Sequence, residues 1–123
     1  MKLYQIVNAI PALNKLGSSD MKISEAYKLQ KLLSAVQVEV DFFNRNQLKI
    51  IEGNGVIKES GEFIIDEGKR EVYAKAMDEL AQTDVEPVFS KMILSLSANI
   101  QLSANDVGVL LPFVEFVEVT EGE

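Results

Sequence analysis

Between Ser24 and Glu52 the chain runs without a single Gly or Pro, and its apolar residues repeat at three- and four-residue steps. Ala26, Leu29, Leu33, Val36, Val40 and Phe43 fall in that rhythm, and it resumes at Ile50, the spacing of one face of a helix. A helix of that extent is about 40 Å long at 1.5 Å rise per residue. A chain of 123 residues is too small to cover such a rod evenly, which predicts that part of the rod meets a partner.

Read as a coiled coil, the helix has Ala26, Leu33 and Val40 at one seam position and Leu29, Val36, Phe43 and Ile50 at the other. Gln47 interrupts the first series. Gln30, Gln37, Leu32 and Glu39 stand at the flanks in place of paired opposite charges. Leu32, Ala35 and Phe42 also widen the apolar face beyond a narrow seam. The pattern therefore predicts a helix gripped from two sides, by its own domain and by another subunit, with Leu32, Phe42 and Phe43 as the candidate partner-contact residues.

Before this helix, Leu3, Ile6, Val7, Ile10, Leu13 and Leu16 form a shorter stripe with Pro11 inside it. Proline lacks a backbone donor and presses on the preceding turn, so one kinked helix or two short ones is expected, ending near Gly17. Residues 17–20 read as a turn and Ser24 as the N-cap of the long helix. Gly53, Asn54 and Gly55 read as its left-handed C-cap, not as a phosphate loop, because they follow a helix instead of a strand.

Residues 56–59 and 62–65 flank Ser60 and Gly61 as a β-hairpin. A third helix follows the turn at 66–68, with the stripe Val72, Tyr73, Ala76, Met77 and Leu80, and ends near Thr83. Short extended pieces are expected at 85–89, with Pro87 suited to an edge, at 91–94 and at 99–102. Ser103 with Asp106 three residues on caps a last helix through Val107 and Leu111. Pro112 ends or kinks it, residues 113–119 continue as helix or strand, and 120–123 fray. The fold class is α+β, mainly helical: a long central helix packed by the first and third helices, a small hairpin or short antiparallel sheet, and a short C-terminal helix.

The length suits one domain, 1–123, large enough to bury a core without metals or disulfides. The apolar and charged fractions, 47% and 25%, are ordinary for a globular protein. There is no His and no Cys, which removes the usual general base, the thiol nucleophile and Cys-based zinc sites, and fits an intracellular setting. The carboxylate pairs Glu39 and Asp41, Asp66 and Glu67, Asp78 and Glu79, and Glu115 and Glu118 are neighbours on one element, whereas glycosidase chemistry needs two facing carboxyls. No calcium-loop pattern and no nucleophile motif is present. The expectation is a protein that is not an enzyme and takes no metal or cofactor.

The net charge of −7 argues against nucleic-acid binding, and the nearest basic cluster, Lys22, Lys28 and Lys31, reads as a solvated helix flank. Polar residues interrupt the N-terminal apolar run, so neither a targeting segment nor a membrane span is expected.

Several ordered motifs resemble an uncharacterised family of small proteins from tailed phages and prophages of Gram-positive bacteria. They are Ile10-Pro11-Ala12-Leu13-Asn14-Lys15-Leu16; Ala26-Tyr27-Lys28-Leu29-Gln30-Lys31-Leu32-Leu33; Glu39 and Phe42; Leu102-Ser103-Ala104-Asn105-Asp106; and Leu111-Pro112-Phe113-Val114-Glu115-Phe116. The resemblance implies a phage protein of unknown function in the host cytoplasm or the virion, and it carries over no active-site residue. It frames the leading expectation, a structural or morphogenesis accessory protein working through protein contacts and forming a homo-oligomer. The alternative is a small phage protein that binds and modulates a host factor.

Overall fold

The computed structural model describes residues 1–85, 91–95 and 100–118. The expectations for 86–89, Asn99, Val119 and 120–123 lie outside these residues. The fold is α+β and mainly helical: α1 spans Leu3–Gly17, α2 Ile23–Asn54, β1 Gly55–Ile57, β2 Phe63–Ile65, α3 Arg70–Ala81, β3 Met92–Ser95, α4 Ala104–Leu110 and β4 Val114–Val117. A single 3-10 turn, Glu67–Lys69, leads into α3.

The long α2 is the spine against which α1, α3 and the strands β1, β2 and β3 pack, and the short α1 gives the core more buried residues than α2 does. Leu3, Ile6, Ala9, Ala12, Leu13 and Leu16 are all buried, a continuous stripe at helical spacing. Pro11 lies in one unbroken helix, on an exposed position away from that stripe. At the N-terminus of α1 the Lys2 backbone N–H donates to Gln5 Oε1 at 2.7 Å. Around the stripe pack Leu29, Leu32 and Val36 of α2, Leu80 of α3, Met92 and Leu94 of β3, Leu110 of α4, and Phe113 and Val114 at the start of β4.

The 32 residues of α2 bury only Leu29, Leu32, Val36 and Ile51, and Ile51 lies outside the main cluster. Leu33, Val40, Phe43 and Ile50 are half-buried against that cluster. Lengths explain the distribution: α2 is about 48 Å long, α1 about 22 Å and α3 about 18 Å. The end of α1 lies beside the start of α2, where Leu16 and Gly17 border Met21, Ala26, Leu29 and Leu33. From the far end of α2, α3 returns towards the first residues of the chain. There Leu3 N–H donates to the Thr83 carbonyl and Val85 N–H to the Met1 carbonyl, each at 2.9 Å. Together α1 and α3 thus line α2 in two halves, and the half next to α3 projects as an arm.

Several ends differ from the sequence expectation. Ser24 is inside α2, which starts at Ile23 with Lys22 as a cap that makes no side-chain hydrogen bond. The left-handed cap at 53–55 does not form: Gly53 and Asn54 are helical and Gly55 is fully extended, so α2 passes straight into β1. The helix-end carbonyls find other donors. Asn54 Nδ2 donates to the Ile50 carbonyl at 2.8 Å, and Asp66 N–H to the Asn54 carbonyl at 2.8 Å. Gly55 is required by close approach, because a Cβ there would collide with the Ile64 carbonyl across the ladder.

The hairpin is shorter than expected, with Val56 opposite Ile64 and Ile57 opposite Phe63. Its reversal closes through Gly61 N–H to the Lys58 carbonyl at 3.0 Å, and Gly61 takes a φ of 89°, where glycine carries no Cβ penalty. On α3, Tyr73, Ala76, Met77 and Leu80 face inward, but Val72 is exposed at the margin of the stripe.

Residues 100–102 form no strand, and the second sheet pairs β3 with β4 in parallel. Parallel neighbours need a crossover, and α4 lies between them in sequence, giving a β-α-β unit. The expected cap of α4 forms in full: Asp106 N–H donates to Ser103 Oγ at 3.0 Å, and Ser103 N–H to Asp106 Oδ2 at 3.1 Å.

Replacing Leu13 with Ala should cost about 2–5 kcal/mol, because the site is enclosed on all sides. Leu48→Ala, on the exposed side of α2, should stay within about 0.5 kcal/mol. Urea denaturation of the two variants checks the ranking; equal losses would mean that the α1 face is not the core. Gly55→Ala should cost about 1–3 kcal/mol through the clash with Ile64, read as a lower denaturation midpoint and faster exchange of the hairpin amides.

Candidate functional site

The three residues singled out on α2 have different fates. Leu32 is 7% exposed and belongs to the core, so it is not part of a free stripe. Phe43 is half-buried against the same cluster. Phe42, 39% exposed, stands one turn from the more exposed Val38 on the outer side of α2. Of the residues that widen the apolar face, Leu32 is spent inside the molecule, whereas Ala35 and Phe42 remain exposed.

Larger apolar exposure appears on the hairpin. In an antiparallel pair, residues directly opposite share a face. The Ile57–Phe63 face turns towards α3, where the Phe63 and Tyr73 rings lie 6.3 Å apart at 51°. The opposite face carries Val56 and Ile64, which are 64% and 54% exposed. Two β-branched side chains on a short strand pair, turned to solvent, make an adhesive edge-and-face surface. Sequence reading placed the hairpin but gave no reason to regard this face as uncovered, since alternation alone does not say which face α3 occupies.

A second surface lies between α2 and β3. Lys28, Lys31, Leu32 and Ala35, on one side of α2, and Lys91, Met92 and Ile93 enclose a groove of about 380 Å³. Its lining combines the apolar Leu32, Ala35, Met92 and Ile93 with three lysines. The Lys31 ammonium sits 4.8 Å from the centre of the Tyr27 ring, a cation–π contact that positions it. Lys28 and Lys31 are exposed on α2, and Lys91, sixty positions away in the chain, is invisible to any local pattern. Lys22, the third member of the sequence cluster, does not line the groove.

The carboxylates considered for catalysis are surface groups. Glu39 is half-buried, and Asp41, Asp66, Glu67, Asp78, Glu79, Glu115 and Glu118 are exposed. Among the described residues no three acidic side chains gather into a cation-sized cluster, and no helix is long and apolar enough to cross a membrane.

Two other carboxylates act as struts. The Lys15 ammonium donates to Asp106 Oδ2 at 2.7 Å, joining the end of α1 to the start of α4, and the Lys2 ammonium lies 2.7 Å from Asp84 Oδ1. The hydrogen bond from Lys15, helped by the Ser103 N–H, holds the Asp106 carboxyl below its usual range. The hydrogen bond and charge of Lys2 do the same for Asp84. No described protein family, curated protein or solved structure matches the chain.

The two struts have a definite pH signature. A carboxyl whose pKa is lowered on folding contributes stability above its unfolded value, about 3.9, and loses it as pH falls through the folded value. Lys15→Met should therefore destabilise the protein at pH 7, and the gap to the parent should narrow below about pH 4. Urea midpoints at pH 7 and pH 3 measure this; a gap that is the same at both would mean that Asp106 is not held by Lys15.

Proposed function

We propose that this is a non-enzymatic protein that acts through protein–protein contacts and self-associates through its hairpin arm. The observation that carries this reading is the solvent-facing Val56–Ile64 pair on an arm that the core does not cover. Fully burying a branched aliphatic side chain is worth about 1.5–3 kcal/mol, so a partner that covers these two neighbours gains from both at once. Exposed Leu48 and Val72, on α2 and α3 of the same arm, extend the apolar character.

The phage and prophage resemblance of the sequence motifs gives this contact protein a setting: a structural or morphogenesis accessory, present in the host cytoplasm during assembly or in the virion. The arm is a suitable joint for assembly because it stands away from the α1 core and can be covered without disturbing it.

Light scattering across a hundredfold concentration range should show a rising mean mass for the parent. A Val56→Asp and Ile64→Asp double variant should remain monomeric, with unchanged far-ultraviolet circular dichroism. A parent that stays monomeric throughout, and is absent by mass spectrometry from particles of a phage encoding it, would overturn the reading.

A further inference from the structure

We propose that the joint between α2 and the hairpin, Asn54–Gly55, is a self-modifying site. Asn54 converts there to aspartate and isoaspartate through a cyclic imide, at a rate set by the hold of the hairpin on its neighbours. The inference goes beyond the protein-contact reading and stands whether or not the arm binds anything.

Only one asparagine of the chain, Asn54, precedes a glycine. Glycine has no Cβ to shield the peptide nitrogen that follows the asparagine. Once that nitrogen has given its proton to hydroxide, it can attack the Asn54 Cγ. The bond from Gly55 N to Cγ forms, the bond from Cγ to Nδ2 breaks, and ammonia leaves with a proton taken from water. A second water opens the ring at either carbonyl, giving aspartate or isoaspartate. Both residues are half-buried, so water reaches the joint. Packing itself places the pair there: a Cβ at Gly55 would collide with the Ile64 carbonyl, and Asn54 Nδ2 donates to the Ile50 carbonyl at 2.8 Å.

The fold holds the reaction back. The bond to Ile50 is given up when the Asn54 amide turns towards the Gly55 nitrogen. Ring closure also brings that nitrogen and the Asn54 carbonyl carbon, Cα, Cβ and Cγ near one plane, far from the helical ψ of about −42°. Two motions reach that geometry. If the hairpin stays in place, the peptide plane between Asn54 and Gly55 has to turn, which breaks the 2.8 Å bond from Asp66 N–H to the Asn54 carbonyl. If the plane keeps that bond, the hairpin has to swing as a unit, which separates the Phe63 and Tyr73 rings, now 6.3 Å apart. Either way the hairpin lets go first. The products then loosen the joint for good. Aspartate has no donor for the Ile50 carbonyl, and isoaspartate adds a methylene to the backbone where Gly55 lies tight against Ile64.

The test follows the full chain, folded or in urea, in mildly alkaline buffer at 37 °C. Trypsin cuts after Lys49 and Lys58, so residues 50–58 come away as one peptide. Mass spectrometry reads the exchange of amide for acid, and isoaspartyl methyltransferase marks the isoaspartate. The folded parent should convert, about tenfold or more slowly than in urea. Asp66→Pro removes the donor at a φ of −58° that proline adopts, and Tyr73→Ala removes the ring contact. Each should speed conversion several-fold in the folded chain, with far-ultraviolet circular dichroism unchanged, and neither should alter the rate in urea. Asn54→Gln should abolish it. Amides of β1 and β2 should exchange faster in the converted protein than in the parent.

Four results would overturn the proposal: no conversion of the folded parent while the chain in urea converts fully, equal rates in the two, parent-like rates in both loosened variants, or unchanged hairpin exchange after conversion.

Discussion

Burial of one face of α1 is the contact on which the rest of the structure depends. Its six enclosed side chains share one core cluster with the first half of α2, the end of α3, and the β3–α4–β4 unit. These packings need α1 as a common surface, because among the described residues β3 and β4 make a two-stranded sheet and α4 has seven residues. Such pieces are not stable in isolation. The struts from Lys2 to Asp84 and from Lys15 to Asp106 fasten the two ends of α1 to its neighbours. Their exposed positions give them a role in alignment more than in gross stability.

The long helix follows from this arrangement in an unexpected way. A rod of about 48 Å cannot bury itself against an element of about 22 Å, so its second half is left to α3 and the hairpin. That half carries one buried residue, Ile51, and a series of half-buried ones. The result is a molecule with a dense end and a thin arm. Both candidate surfaces arise at places where the core ran out of material: the outer face of the hairpin, and the groove where α2 passes β3.

Elements with strong local periodicity were legible in the sequence. The stripe from Leu3 to Leu16 and the run from Leu29 to Ile50 gave both main helices, and Ser103 with Asp106 gave the start of α4, because a capping box is encoded within four residues. What depends on distant partners was not legible. Gly53 and Asn54 look like a left-handed cap, but the Asn54 side chain and the Asp66 N–H supply donors to the helix-end carbonyls and the chain continues extended. The parallel pairing of β3 with β4 is a choice among strands of similar composition, settled by α4 and the core. Likewise, Leu32 widens the apolar face when α2 is viewed alone. Its actual neighbours are α1 and β3, so it belongs to the interior. The groove lysines show the same division, since Lys28 and Lys31 share a helix face but Lys91 joins them only through tertiary structure.

Native-state hydrogen exchange tests most directly whether the α1 face is the core and the arm a lightly held extension. Amides from Ala9 to Leu16, excluding the proline, should exchange only through global unfolding, with the same free energy as urea denaturation. Amides of β1, β2 and the first turn of α3 should open at distinctly lower free energy at low protein concentration. If residues 43–54 of α2 are as protected as α1, or if α1 opens before the arm, the account of a fold organised around the first helix is contradicted.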